Sequence, residues 1–146
     1  MGSDAQIILS SPYTRALQSS AILARITGLN TVVVHDFHEW IPDLTFQYSS
    51  YKELKLLFED FKKHKGIRPL DPSPSEFTRW ETLEALRTRV RNAIIEMSKR
   101  YDSAILMAHG MVLQTISYQD HYLYGEVKVV TYNHETKSDL WPFEMD

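Results

Sequence analysis

The chain has 146 residues, 43% apolar and 24% charged, a length and composition that suit one globular domain burying roughly two thirds of its unfolded surface. Sixteen Lys+Arg against 19 Asp+Glu leave a net charge of −3, which offers no general attraction for nucleic acid, and no apolar run approaches the roughly 18 residues of a membrane span. The absence of cysteine excludes disulfides, zinc-thiolate clusters and a thiol nucleophile together.

In chain order, Met1 to Asp4 has neither the basic nor the apolar region of a secretory signal, so a cytoplasmic location is expected. Gln6 to Leu9 is a short apolar run of the kind that forms a buried strand. Ser11 before Pro12 reads as an N-cap followed by proline in the first helical turn, and Ala16, Leu17, Ala21, Ile22 and Leu23 recur at helical spacing up to Gly28, a C-terminal stop. Thr31 to Val34 is β-branched throughout and predicts a second buried strand, closed by Pro42 after the segment His35 to Trp40. Residues 41–78 read as a helical insertion and linker, with a helix over Tyr51 to Lys63 and prolines crowded between Gly66 and Ser75. Glu81 to Arg100 carries one apolar stripe, Leu83, Leu86, Val90, Ala93, Ile94 and Met97, on a long helix. Ser103 to Ala108 predicts a third buried strand, His109-Gly110 opens another helix, Glu126 to Tyr132 predicts a fourth strand, and the charged tail after His134 is expected to be loosely ordered. Alternating strands and helices imply an α/β fold with a mostly parallel sheet in a single domain, residues 1–146.

In open α/β sheets, ligands sit beyond the carboxyl ends of the strands. Arg15 follows the first strand, Glu39 the second and His109 the third, so all three belong at one edge. Arginine offers a planar fork of donors suited to phosphate. A histidine there can donate to a phosphoryl oxygen, Gly110 permits close backbone approach, and a carboxylate can serve as general acid or base. Singly, each has an ordinary reading: a solvated helix arginine, a satisfied strand-end histidine, a loop carboxylate. Arg87, Arg89 and Arg91 read as a solvated helix face, and Trp40, Trp80, Tyr48 and Tyr51 either cover a pocket mouth or, for at least two of them, fill the core.

Ile8-Leu9-Ser10-Ser11-Pro12-Tyr13-Thr14-Arg15-Ala16 with Gln18 and Ala21, His35-Asp36-Phe37-His38-Glu39-Trp40, and Ala104 to Gly110 together resemble the histidine phosphatase (phosphoglycerate-mutase-like) superfamily in order and separation. The resemblance implies a three-layer sandwich and a metal-free, cofactor-free phosphatase acting on a phosphomonoester such as a sugar phosphate or nucleotide derivative. It implies Arg15, with Ser11 and Gly110, as phosphate-binding, Glu39 as proton donor and His109 as stabiliser of the transferring phosphoryl group. Mutase activity is less expected, because the residues after Glu39 do not resemble the mutase pattern.

The family's nucleophilic histidine sits in an Arg-His-Gly motif on a strand ahead of the Ser-Ser-Pro segment, and no Arg-His-Gly occurs in these 146 residues. The resemblance therefore implies a chain lacking that strand and, because the nucleophile forms the covalent intermediate, little turnover by the chain alone. His38 is nearest the expected site but reads as a supporting or surface group; His35, His64, His121 and His134 have no supporting context. The family places the absent strand between those carrying Arg15 and His109. The exposed edges would then pair directly or recruit a second copy as a homodimer. A non-catalytic phosphate-binding or interaction module is the rival reading.

Overall fold

The computed structural model describes residues 4–70, 77–119 and 121–132. A three-stranded parallel sheet of order β2-β1-β3 forms its centre, built from β1 (Ile7–Ser10), β2 (Thr31–Val33) and β3 (Ala104–Met107). The helices are α1 (Thr14–Thr27), α2 (Tyr51–Lys63), α3 (Leu83–Ser98) and α4 (Gly110–Ile116), with a 3₁₀ turn at His35–Phe37. β1 is buried along its whole length. Its side chains alternate between faces. Ile7 and Leu9 join Leu83, Leu86, Val90 and Ala93 of α3 and Val112 of α4 in the main core, while α1 lies on the sheet through buried Ala16 and Ser20. Three layers result, as the sequence implies.

β1 and β3 are bonded in continuous register, from Ile7 opposite Ala104 to Ser10 opposite Met107, so of the two outcomes expected for these edges the direct pairing is the one present. Other local expectations change. β2 is an edge strand, not a buried one: Thr31 and Val33 are exposed. β3 is partly exposed for the same reason, since β1 alone is flanked on both sides. Such a narrow sheet also limits what α1 can bury. Ala16 and Ser20, four residues apart, lie over it, whereas Ile22 is 63% exposed. Residues 126–132 form no strand, and Val127 and Val129 face solvent, because β-branched residues make a strand only where another presents an edge. The tail after His134 and residues 71–76 of the linker lie outside the described residues.

α1 starts two residues later than Ser11: Tyr13 is its N-cap, and Gly28 ends it at φ 75°. α2 begins at Ser50, whose side chain accepts from the Glu53 N–H. It ends in Lys65 and Gly66, both at positive φ. A Cβ at Gly66 would lie 2.6 Å from the Leu83 Cβ, so the close approach of this turn to α3 requires glycine. Leu57 and Phe61 bury α2 against Trp40 and Trp80, which are core residues, while Tyr48 and Tyr51 are exposed. Asp43, fully buried, accepts from the Thr45 N–H and hydroxyl and pairs with Arg79 at 2.8 Å, closing the loop after Pro42.

Candidate functional site at the carboxyl ends of β1 and β3

The direct pairing of β1 with β3 brings their following residues side by side. Ser11 and His109, 98 positions apart in sequence, are both buried, and Ser11 Oγ lies 2.7 Å from His109 Nε2. The Ser11 hydroxyl also accepts from the Tyr13 N–H at 3.2 Å, which leaves its own proton free for the imidazole. Ser11 therefore links the start of α1 to the end of β3 instead of capping the helix. Tyr13 lies against His109, ring centroids 5.1 Å apart, and the Arg15 guanidinium sits over the Tyr13 ring at 5.4 Å. Tyr13 also stacks on His38.

Glu39 reaches the same place from beyond β2. One carboxylate oxygen accepts from the Trp40 N–H at 2.9 Å, the other from the Met111 N–H at 3.3 Å, in the first turn after His109. Gly110 is exposed, and a Cβ there would meet no atom within 4 Å, so the protein's own packing does not demand glycine at this position. All five residues singled out in the sequence, Ser11, Arg15, Glu39, His109 and Gly110, thus converge on one edge of the sheet. Among the described residues no three His, Asp or Glu side chains form a metal-ligand cluster, and no helix is long and apolar enough to cross a membrane.

A sequence model of the Histidine phosphatase superfamily (branch 1) matches residues 1–121, most of the chain and every residue of this edge. The chain belongs to the histidine phosphatase superfamily. No curated protein matches it significantly.

In this histidine phosphatase-family domain, the electrostatics of the edge shift two of its groups. Burial pushes the His109 ring down, and the positive charges of Arg15, His38 and Arg89 push it further, to about 4. His109 is therefore neutral at pH 7 and can keep a nitrogen lone pair toward the Ser11 hydroxyl. Burial raises the Glu39 carboxyl above its ordinary value, against the opposing pull of the Trp40, Met111 and Val112 N–H groups and Arg15. A carboxyl whose pKa is raised beside a ring held neutral is the kind of arrangement that can give and receive a proton at one edge. His38 Nδ1 lies 2.8 Å from the Glu39 carbonyl, and burial lowers the pKa of its ring.

The structure adds residues that the pattern reading did not assign to the site. Arg89 is no member of a solvated face: its side chain is 14% exposed and paired with Glu81 at 2.6 Å. Alternation of Arg87, Arg89 and Arg91 conceals this, because a helix turns about 100° per residue. Arg89 follows Leu86 by three positions, on the flank of the buried stripe, and that spacing was the available signal. Tyr13, read only as part of the Ser-Ser-Pro motif, joins Arg15, His38 and His109.

Proposed function

We propose that this domain binds the phosphoryl group of a phosphomonoester at the edge formed by Ser11, Arg15, His109 and Gly110, with Glu39 as the proton donor to the leaving group. The observation that carries the reading is the convergence of an arginine, a neutral histidine bonded to a serine hydroxyl and a buried carboxyl at the carboxyl ends of two paired parallel strands. Arg15 supplies charge and a planar set of donors, His109 a hydrogen bond that strengthens as charge develops on the phosphoryl oxygens, and Glu39 the proton that converts an alkoxide into a leaving alcohol.

Hydrolysis by the histidine phosphatase route also needs a nucleophilic histidine. None of the six histidines here stands in an Arg-His-Gly motif. His38, whose Nδ1 faces the Glu39 carbonyl, has a ring that packs on Tyr13. The domain is therefore a phosphomonoester hydrolase domain without its nucleophile, with little or no turnover alone. The rival reading is a non-catalytic phosphate-binding or interaction module derived from the same fold, in which Arg15, Glu39 and His109 are an anion site or remnants of the fold.

Two measurements on the 146-residue protein and its Arg15→Ala and His109→Ala variants test this. Calorimetric titration with inorganic phosphate should show binding that both substitutions weaken. Hydrolysis of an aryl phosphate, followed over about pH 5 to 8, should be near background in all three. Absence of phosphate binding removes the proposal, and turnover abolished by His109→Ala would mean that another nucleophile operates.

A further inference from the structure

The loop that carries Glu39 is held by two side chains, Arg89 of α3 and Glu81, the residue before the N-cap of that helix. Arginine has five N–H donors, and in Arg89 each has a partner. Nε donates to one Glu81 carboxylate oxygen at 2.6 Å and one Nη2 proton to the other at 3.0 Å. The remaining three go to main-chain carbonyls of a single short loop: Asp36 at 2.5 Å, His38 at 2.9 Å and Glu39 itself at 3.2 Å. Glu81 completes the grip from the other end. The same oxygen that receives Nη2 also accepts from the Ile41 N–H at 3.1 Å, the Glu81 N–H donates to the Ile41 carbonyl at 2.8 Å, and the Glu81 carbonyl accepts from the Trp40 indole at 2.8 Å.

We infer that Arg89, oriented by Glu81, is the positioning residue for Glu39: it fixes the backbone of residues 36–41 so that the Glu39 carboxyl is presented to the Met111 N–H beside His109. Its role as positioning residue for a proton donor rests on the function proposed above; the mechanical role does not. A buried ion pair of this kind is weak evidence for stability, because desolvation offsets most of its attraction. Its geometry is specific instead. Three carbonyls in one loop point at one guanidinium, an arrangement that a lysine, with a compact tetrahedral head, cannot reproduce. The half-buried Glu39 carboxyl is held by main-chain donors, the Trp40 and Met111 N–H groups on its two oxygens with Val112 N–H beside them, so its surroundings depend on the loop staying closed.

The test uses Arg89→Lys, which keeps the charge and removes the fork, with carboxyl carbon and amide resonances read by NMR as pH is varied. In the wild type, the Glu39 carboxyl should titrate above an ordinary glutamate, and the Met111 and Trp40 amides should follow it. In Arg89→Lys, the midpoint should move down toward the ordinary value and the Met111 amide should stop tracking it, while titration with inorganic phosphate, which reads Arg15 and His109, changes by less than about threefold. An unchanged Glu39 midpoint with intact Met111 coupling in a folded variant overturns the inference. Should the variant fail to fold, hydrogen exchange in the wild type decides: the Ile41 amide and Trp40 indole should exchange as slowly as the core of α3, and exchange at the rate of an open loop overturns it. Failure of phosphate to bind the wild type would refute the proposed function and leave the Glu39 titration to judge the positioning role alone.

Discussion

Lowering the pH should destabilise the folded domain through His109 before most of its carboxylates are protonated. The folded ring titrates at about 4 against an ordinary 6.5. Between those values the unfolded chain binds a proton that the folded protein refuses. Stability is therefore complete above about pH 6.5 and is lost as pH falls toward 4. At 1.36 kcal/mol per pH unit the full span sets a ceiling of about 3.4 kcal/mol. Arg15 and Tyr13 beside the ring are exposed, so water screens its charge, and we expect roughly 1.5 kcal/mol. Urea unfolding of the wild type and His109→Gln, from about pH 7.5 to about pH 4.5, isolates the ring, because glutamine can keep a contact to Ser11 and does not titrate. The wild type should lose that increment relative to the variant across the window. A constant separation of the two curves would show that the ring titrates alike in both states and that burial beside Arg15 does not hold it neutral.

Arg15→Ala should weaken inorganic phosphate binding roughly tenfold to hundredfold, as loss of a charge-assisted contact does, with little change in melting temperature because the side chain is exposed; unchanged affinity by calorimetry would remove Arg15 from the site. Gly110→Ala should leave stability within about 1 kcal/mol, since a Cβ there meets nothing, yet reduce phosphate affinity if the ligand approaches that backbone; equal affinity would place the ligand elsewhere. Gly66→Ala should cost about 2 kcal/mol or more in chemical denaturation, from its φ of 71° and the contact with Leu83, and a neutral result would contradict that contact. Asp43→Ala should cost about 2 kcal/mol, because it takes the acceptor from the Thr45 N–H and hydroxyl in a buried turn, while Arg79 keeps its pairing with Glu53. Burial pushes the Asp43 carboxyl up, but hydrogen bonds from Thr45 and Arg79 outweigh it and hold it at about 2, so the stability it contributes is present above its ordinary 3.8 and is lost only as pH falls toward 2. An Asp43→Ala variant within 1 kcal/mol of the wild type would show that these bonds are not formed.

Much of this arrangement is legible in the chain because apolar runs of four with turn residues after them state both a strand and where it stops. Ile7 to Ser10 and Ala104 to Met107 are strands near the expected limits, and their ends place Arg15 and His109 together. α2 matches its predicted span, since Ser50 and the charged pair Lys62-Lys63 mark its ends. What failed to show is what depends on neighbours. The apolar text of Thr31 to Val33 does not say that its strand lies at an edge, and Val127 to Val130 reads as a strand until no partner is found beside it. The resemblance leaves open whether the strands leading to Arg15 and His109 pair directly or through a second copy, and only the coordinates show β1 bonded to β3. At the site, Ser11, Arg15, Glu39 and His109 are visible as residue types, whereas Arg89 acts on main-chain carbonyls of residues 36, 38 and 39, and carbonyls carry no letter in a sequence.

Glu81 and Arg89 are eight residues apart, and the first two turns of α3 join them as a ruler of fixed length. A single insertion or deletion between them would swing the guanidinium by about 100° around the helix axis, off the loop and into solvent, although Glu84, Ala85 and Thr88 on the exposed side are free to become almost anything. The segment thus tolerates changes of identity but not of count, and an alignment of superfamily members would display this directly as variable letters within an invariant spacing.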